Sequence, residues 1–227
     1  MAQGAAAGHA AGAGGAGAGS VPLRRLLQFA REPVPGRVKT RMQPVLDAVG
    51  ACELHIALLT HTARQLAGVA RCQRELWVAG DPAHPALVHA ATLGDAGVRR
   101  QRGKDLGERM GHALETALAD AQQVVLVGSD CPGLDAAYVD AAFAALGSAD
   151  VVLGPALDGG YVLIGVRRVD ARLFQGVDWS TGAVLAQTLA RIDALGWQAA
   201  LLEPRRDIDR PEDLAAWQEV SEGAGGG

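Results

Sequence analysis

The stretch VVLVGSDCPGLD, residues 124–135, carries the clearest signal of the fold. Its first four residues form a continuous apolar run, which is typical of a strand buried on both faces of a parallel sheet. Asp135 then stands where a helix N-cap is expected, because its short carboxylate can accept a hydrogen bond from the first turn. The stretch therefore predicts a central strand over residues 124–127 and a helix over residues 136–146.

Short apolar runs alternate with longer stretches of helical periodicity on both sides of this stretch. The further predicted strands are 23–30, 76–79, a segment near Val98, 151–153, 161–166 and 199–202. The further predicted helices are 47–67, 105–119, 181–195 and 211–219. This alternation indicates an α/β fold with a mostly parallel central sheet and helices on both faces. Ligands of such sheets bind at the carboxyl ends of the strands.

The composition indicates a single domain with a sizeable core, since 49% of the 227 residues are hydrophobic and 20% are charged. The formal charge of -4 argues against nucleic acid as a partner, because nucleic-acid binding needs an extended basic surface. The three cysteines are irregularly spaced, which predicts no disulfide framework and suits a cytoplasmic protein.

Both ends of the sequence are rich in glycine, and we predict disordered tails over residues 1–20 and 221–227. The first tail has neither a basic leader region nor enough apolar surface to cross a bilayer, so no membrane partner is expected. It spells G-x-G-x-x-G at Gly12, Gly14 and Gly17, but no strand precedes this pattern, as a dinucleotide site would require. The domain is therefore expected over residues 21–220.

Four segments with unusual residues fall at or near predicted strand ends. They are PVPGRVKTR (33–41), GSDCPGLD (128–135), PALDGGYVLIG (155–165) and RDIDRPEDL (206–214). Each has an ordinary structural interpretation as a turn or a helix cap. Their position at one edge of one sheet favours a shared ligand site.

The residue types in these segments suit a nucleotide diphosphate. Lys39 and Arg41 can contact an anion from a loop that its prolines make rigid, and Gly36 allows a close backbone approach. Asp130 is costly at the mouth of a buried strand unless it is hydrogen-bonded or holds a cation. Carboxylates with free coordination positions suit Mg²⁺ or Mn²⁺, which commonly bridge a protein to a diphosphate. A further loop, with Arg102 and Gly103, is expected to border the nucleotide.

Six segments of the sequence also resemble one known family. They are FAREPVPGRVKTRM, QRGKDLGERM, VLVGSDCPGLD, GPALDGGYVLIGV, VDWSTGAVLAQTL and RDIDRPEDL. They resemble the radical-SAM/selenodomain-associated transferase 1 family, bacterial proteins of the glycosyltransferase-A-like superfamily that are named as arsenosugar-biosynthesis glycosyltransferases. The resemblance extends from Leu23 to Glu219 and implies a Rossmann-like, glycosyltransferase-A-like fold of the nucleotide-diphospho-sugar transferases.

The resemblance also implies roles for individual residues. The expected nucleotide contacts are Pro35, Gly36, Lys39, Thr40, Arg41 and Ser129, together with Arg102 and Gly103. Asp130 is expected to hold the metal, with Asp209 or Asp207 completing the site. Asp158 is expected to face the acceptor as the base or as a second ligand, and Lys39 to stabilise the departing diphosphate. The expected acceptor or sugar contacts are Gly159, Gly160, Tyr161 and Trp179.

The sequence departs from the superfamily at several of these positions. The usual D-x-D after the central strand is replaced by Ser129, Asp130 and Cys131, whereas the letters D-x-D occur at Asp207 and Asp209. Arg31 stands where relatives tend to have lysine. Arg210 replaces an expected threonine N-cap, so Asp209 is a candidate cap instead.

Three functions remain open from the sequence. The leading interpretation is a transferase that moves a glycosyl group from a nucleotide-sugar to a small-molecule acceptor. The first alternative is a nucleotidyltransferase, in which a phosphorylated small molecule attacks a nucleoside triphosphate and pyrophosphate leaves. The second is a non-catalytic nucleotide-binding module. The base, the sugar, the acceptor, the stereochemical outcome and the oligomeric state stay open.

Overall fold

A seven-stranded sheet lies at the centre of the molecule in a computed structural model, which describes residues 23–223. The strands are β1 (Arg24–Arg31), β2 (Gln73–Ala79), β3 (Gly97–Arg100), β4 (Gln123–Val127), β5 (Val151–Pro155), β6 (Tyr161–Val166) and β7 (Ala199–Leu201). Their order in the sheet is β3-β2-β1-β4-β6-β5-β7. Strand β6 pairs antiparallel with both β4 and β5, whereas the other pairs are parallel. The predicted α/β fold with a mostly parallel sheet is confirmed.

Within residues 23–223, six α-helices connect and cover the strands. They are α1 (Ala48–Ala67), α2 (Pro85–Leu93), α3 (Leu106–Leu118), α4 (Ala136–Ala145), α5 (Val184–Ala194) and α6 (Leu214–Gly223). Helix α2 was not predicted from the sequence. Helix α6 runs three residues into the C-terminal tail predicted for 221–227, while residues 224–227 and the predicted tail over 1–20 lie outside the described residues. Within residues 23–223, no helix is long and apolar enough to cross a membrane.

The sheet is buried on both faces, which explains the continuous apolar run of β4. Val125 and Val127 pack into a cluster with α1 and α4 on one face. Val124 and Leu126 pack into a second cluster with α3 and α5 on the other face. Because successive strand residues point to opposite faces, a strand between two helical layers must be apolar throughout.

Local capping fixes where three of these helices begin. The Asp135 carboxylate accepts a 2.8 Å hydrogen bond from the N–H of Tyr138 at the start of α4, as the sequence predicts. Asp47 and Asp105 cap α1 and α3 in the same way. Each of these helices therefore starts at a defined residue after a loop.

The topology collects the four unusual segments at one edge of the sheet. Strands β1, β4, β5 and β7 end at this edge, and the antiparallel β6 begins there. The loop between β5 and β6 spans only residues 156–160, so it turns directly above the sheet. The first loop of the chain thus lies beside segments more than a hundred residues later.

Candidate active site

Hydrogen bonds to backbone groups and ion pairs hold the loops after β1, β4 and β7 together. The Ile208 N–H donates to the carbonyl of Asp130 at 2.8 Å. The Lys39 ammonium donates in turn to the Ile208 carbonyl, and Arg41 pairs with Asp209 at 2.6 Å. Ile208 itself is buried, so it anchors the two carboxylates that flank it in sequence. The three loops form one connected wall of the site.

Lys39 is the most buried charged group of this wall. Its side chain is only 3% exposed, and its Nζ lies 2.8 Å from Oδ1 of Asp130. This contact is an ion pair without the angular alignment of a hydrogen bond, because the ammonium is directed toward the Ile208 carbonyl. Lys39 also adopts a left-handed backbone conformation, with a φ of 49°. The loop therefore turns its lysine inward, against the Asp130 carboxylate.

His55 of α1 lies against the same carboxylate. Its Nδ1 is 3.9 Å from Asp130 Oδ1, and its Nε2 is 3.0 Å from the Arg31 carbonyl. Burial lowers the pKa of His55, while the negative charge of Asp130 acts in the opposite direction. His55 is not among the site residues predicted from the sequence. It helps to position the ends of β1 and β4.

The Ser129 hydroxyl also joins these two strands. It donates to the Phe29 carbonyl at 2.7 Å and accepts from the Gln28 side-chain amide at 3.0 Å. Its proton is therefore already used within the protein. This buried network fixes where Asp130, the next residue, leaves the sheet.

A first cavity of about 450 Å³ opens beside the loop after β1. Its lining is rich in cations, which are Arg31, Arg37, Lys39, Arg41 and Arg109. In the part of the chain that the structure describes, Arg31, Arg37 and Arg109 pair with no carboxylate. The backbone N–H groups of Lys39 and Thr40 have no acceptor there either. These groups can bind an anion such as a phosphate.

A second cavity of about 320 Å³ adjoins the first and has the opposite charge. Its floor is apolar and includes Phe29, Met110, Leu126 and Trp179. Its polar lining contains four carboxylates, Asp130, Asp158, Asp207 and Asp209, and neither a lysine nor an arginine lines it. Asp130 and Asp209 line both cavities, so they stand at the junction.

The carboxylates of the second cavity influence one another. Burial, together with the negative charges of Asp158 and Asp209, raises the pKa of Asp207 to about 6. Lys39 acts in the opposite direction but more weakly. Asp207 thus lies in a partly buried position beside other carboxylates of the second cavity.

Trp179 reaches the second cavity from the loop before α5. Its ring packs against Phe174, with 6.3 Å between ring centroids, and against the first turn of α3 at Gly107. The neighbouring loops also approach closely, because a Cβ on Gly159 would lie 2.2 Å from the Gly182 carbonyl oxygen. Gly159, with a φ of +91°, therefore permits the loop contact that holds this wall together.

The predicted site residues divide into three groups. Lys39, Thr40, Arg41, Ser129, Asp130 and Asp209 line the first cavity. Asp158, Gly160, Tyr161 and Trp179 line the second. Neither cavity is lined by Pro35, Gly36, Arg102, Gly103 or Gly159.

Several lining residues were missed in the sequence. Arg37 lies within the segment 33–41, from which only Lys39 and Arg41 were predicted as anion contacts. Arg109 was missed because it stands inside a helix, although the first turn of α3 follows a loop at the same sheet edge. The expectation that Asp209 caps the last helix is wrong, since Asp213 accepts from the N–H groups of Asp209 and Arg210. The Asp209 carboxylate remains directed to the site.

A divalent metal fits this donor set when water or a substrate supplies its remaining ligands. Among residues 23–223, no group of three or more His, Cys, Asp or Glu side chains is arranged to hold a metal. Two carboxylates at the junction, Asp130 and Asp209, nevertheless match the pattern in which Mg²⁺ takes one or two carboxylates and completes its shell with phosphates and water. The residues present therefore fit a metal that takes two protein carboxylates and fills its other positions with water or phosphate oxygens.

The sheet order and the cavities at its carboxyl edge define the nucleotide-diphospho-sugar transferase class of α/β folds. More particularly, the chain belongs to the family described as "Uncharacterized protein conserved in bacteria (DUF2064)", which matches residues 62–181. No curated protein matches the chain.

Solved structures of similar fold accompany this family match. A protein from Desulfovibrio desulfuricans G20, provisionally described as a nucleotide-diphospho-sugar transferase, is 31% identical with a TM-score of 0.75, and 82% of each chain is covered. A CMP:2-keto-3-deoxy-manno-octonic acid synthetase complexed with CTP is 13% identical with a TM-score of 0.57, covering 89% of this chain and 99% of that one. Rv0371c from Mycobacterium tuberculosis H37Rv, in complex with manganese, is 16% identical with a TM-score of 0.53, covering 88% and 99%. The last two are similar in fold alone.

Proposed function

We propose that this protein transfers a glycosyl group from a nucleotide-sugar to a small acceptor that carries no phosphate. The observation that carries the proposal is the opposite charge of the two adjoining cavities. A nucleotide-sugar suits this arrangement, because its anionic diphosphate would be attracted to the cationic cavity. Its neutral sugar would not be repelled by the carboxylates at the junction. The donor would place its diphosphate in the first cavity and its sugar at the junction.

The cations of the first cavity would bind the diphosphate. Arg31, Arg37 and Arg109 are free of carboxylate partners in the described part of the chain, so binding a phosphate would break no ion pair. A unit charge pair at 4 Å is worth about 4 kcal/mol near a protein surface. The same cations, with Lys39, would stabilise the charge that builds on the departing nucleoside diphosphate.

Asp130 and Asp209 would hold the divalent metal between the two cavities. When bound, the metal supplies positive charge for the diphosphate leaving group. The manganese complex of Rv0371c supports a metal in this fold, and the carboxylates supply the oxygen ligands that Mg²⁺ and Mn²⁺ prefer. Asp130→Asn should therefore weaken nucleotide binding when Mn²⁺ is present and cause little loss of affinity when a chelator is present.

The second cavity would receive the acceptor, with Asp158 as the base. Asp158 is exposed, and its Oδ1 already accepts a 2.9 Å hydrogen bond from the Gly160 N–H, which orients the carboxylate. It would take the proton of an acceptor hydroxyl as that oxygen attacks the sugar carbon. The bond between the sugar carbon and the diphosphate breaks, and the nucleoside diphosphate leaves.

The charge of the second cavity disfavours nucleotidyl transfer to a phosphorylated molecule. In that reaction the second substrate brings its own phosphate, which would face four carboxylates and no lysine or arginine. Asp130 and Asp209 are paired with Lys39 and Arg41, so the repulsion would come from Asp158 and Asp207, at about 4 kcal/mol for each contact at 4 Å before screening. The motifs that resemble the radical-SAM/selenodomain-associated transferase 1 family also favour glycosyl transfer, and that finer assignment remains a prediction.

The identity of the leaving group tests the proposal. The protein would be incubated separately with nucleotide-sugars and with nucleoside triphosphates, each with Mn²⁺ or Mg²⁺ and a cell extract as the source of acceptors. We expect enzyme-dependent nucleoside diphosphate from a nucleotide-sugar. Asp158→Ala should abolish this release, whereas Asp140→Ala, on the exposed surface of α4, should leave it unchanged. Pyrophosphate from a triphosphate, with every nucleotide-sugar left intact, would refute the proposal.

A further inference from the structure

Lys39 is one of only two lysines in the sequence, and it is buried against the carboxylate that we assign to the metal. We propose that Lys39 is a tethered cation that competes with the divalent metal for Asp130. This inference rests on the metal site of the proposed function. It assigns to Lys39 a role in the free protein that differs from a contact with phosphate.

The geometry brings the two cations into competition for one carboxylate. The Lys39 ammonium lies 2.8 Å from Asp130 Oδ1, which is a buried oxygen with no aligned hydrogen-bond donor in the described part of the chain. A metal ligated by Asp130 would stand within a few ångströms of that ammonium. Two cations so close repel each other strongly, because water screens their charges only partly near a protein surface. The ammonium must therefore move away when the metal binds.

The first cavity offers the Lys39 ammonium an alternative position. Its side chain lines the first cavity, so rotation of its flexible stem would turn the ammonium from Asp130 toward a bound diphosphate. The hydrogen bond to the Ile208 carbonyl shows that the ammonium already reaches the loop that carries Asp209. Metal and diphosphate would consequently favour each other's binding, since the metal frees Lys39 and the phosphate receives it.

Binding of Mn²⁺ alone tests the competition. Free Mn²⁺ would be counted by electron paramagnetic resonance during titration of the wild type, Lys39→Met and Arg37→Met, without nucleotide. We expect Lys39→Met to bind Mn²⁺ about tenfold more tightly than the wild type. Arg37→Met is the matched control, because Arg37 lines the same cavity but pairs with no carboxylate in the described chain. It should change the affinity much less.

Three outcomes would overturn the inference. Equal or weaker Mn²⁺ binding by Lys39→Met would show that Lys39 does not compete. An equal gain in Arg37→Met would attribute the effect to the general field of the cavity. Failure of every variant to bind Mn²⁺ would remove the metal site as well. None of these measurements uses a sugar donor or an acceptor, so a failure of glycosyl transfer is recognised separately by the leaving-group assay.

A measurement on the wild type covers the case in which Lys39→Met fails to fold. Reductive methylation with ¹³C-formaldehyde labels lysines, and the exposed Lys104 serves as an internal reference for the buried Lys39. Saturating Mg²⁺ should increase the labelling rate of Lys39 relative to Lys104. The same Mg²⁺ should have no such effect in Asp130→Asn. A Lys39 rate that does not respond to Mg²⁺ in the wild type would overturn the inference.

Discussion

Replacing Gly107 by alanine is expected to disturb the wall of the second cavity through Trp179. Gly107 is the second residue of α3, and a Cβ there would lie 2.7 Å from Cζ2 of Trp179 and 3.0 Å from Cβ of Phe174. Two aromatic side chains on one side leave little room for a small adjustment. The added methyl group must displace the indole ring from its present position.

The magnitude follows from two opposing effects. Overpacking of this kind costs about 1–3 kcal/mol. Alanine gains up to about 1 kcal/mol over glycine in a helix interior, but less in the first turn, where Gly107 lies. The expected net loss of unfolding free energy is therefore about 1–2 kcal/mol.

Gly111, one turn further along α3, provides the matched control. A Cβ there would lie 3.5 Å from Cδ2 of Phe174, which is an ordinary contact distance. Gly111→Ala should thus raise the unfolding free energy by up to about 1 kcal/mol. Urea denaturation followed by circular dichroism would measure both variants, and tryptophan emission would report the moved indole in Gly107→Ala alone. Equal shifts of the same sign in the two variants would refute the reasoning.

Two further variants test the electrostatics and hydrogen bonding around the site. Ser129→Ala should lower the unfolding free energy by about 1–3 kcal/mol, because the Phe29 carbonyl and the Gln28 amide both lose a buried partner; a loss far below this in urea denaturation would contradict the network. The pKa of Asp207 is raised to about 6, so between about pH 4 and about pH 6 the unfolded chain releases a proton that the folded chain keeps. With a chelator present, the unfolding free energy of the wild type should therefore fall as the pH rises through this range. Asp207→Asn should remove that fall and be more stable than the wild type at neutral pH by about 1 kcal/mol, after allowance for solvent screening. A constant difference in unfolding free energy between the two proteins from about pH 4 to about pH 6 would exclude the effect.

The central strands were predictable because burial on both faces leaves an unbroken apolar run, as in β4. Helix α2 was missed because it is only nine residues long and its sequence, PALVHAATL, is mostly apolar. It therefore shows little contrast between an apolar face and a polar face. The antiparallel direction of β6 could have been inferred. The five residues 156–160 that precede it are too few for the crossover that a parallel neighbour requires.

The residue types of the candidate site could be predicted from the sequence, but the contacts between their side chains could not. Asp130, Asp158 and Asp209 could be chosen because carboxylates after strands point to a shared sheet edge. The pairing of Lys39 with Asp130 depends on the left-handed backbone conformation of Lys39, which the neighbouring sequence does not indicate. Arg109 reaches the site from a helix, so a search confined to loops could not find it.

The place of β6 in the sheet has a consequence for synthesis of the chain. Strands β1 to β4 are adjacent in the order β3-β2-β1-β4, so a nascent chain that ends near residue 150 already contains a complete four-stranded half. Strand β5 emerges next but pairs only with β6 and β7, which the ribosome has not yet made. Until residues 161–166 appear, β4 keeps an open edge and β5 has no place in the sheet. The first half can therefore fold vectorially, whereas the second half must join it in one late step that also delivers Asp158, Asp207 and Asp209.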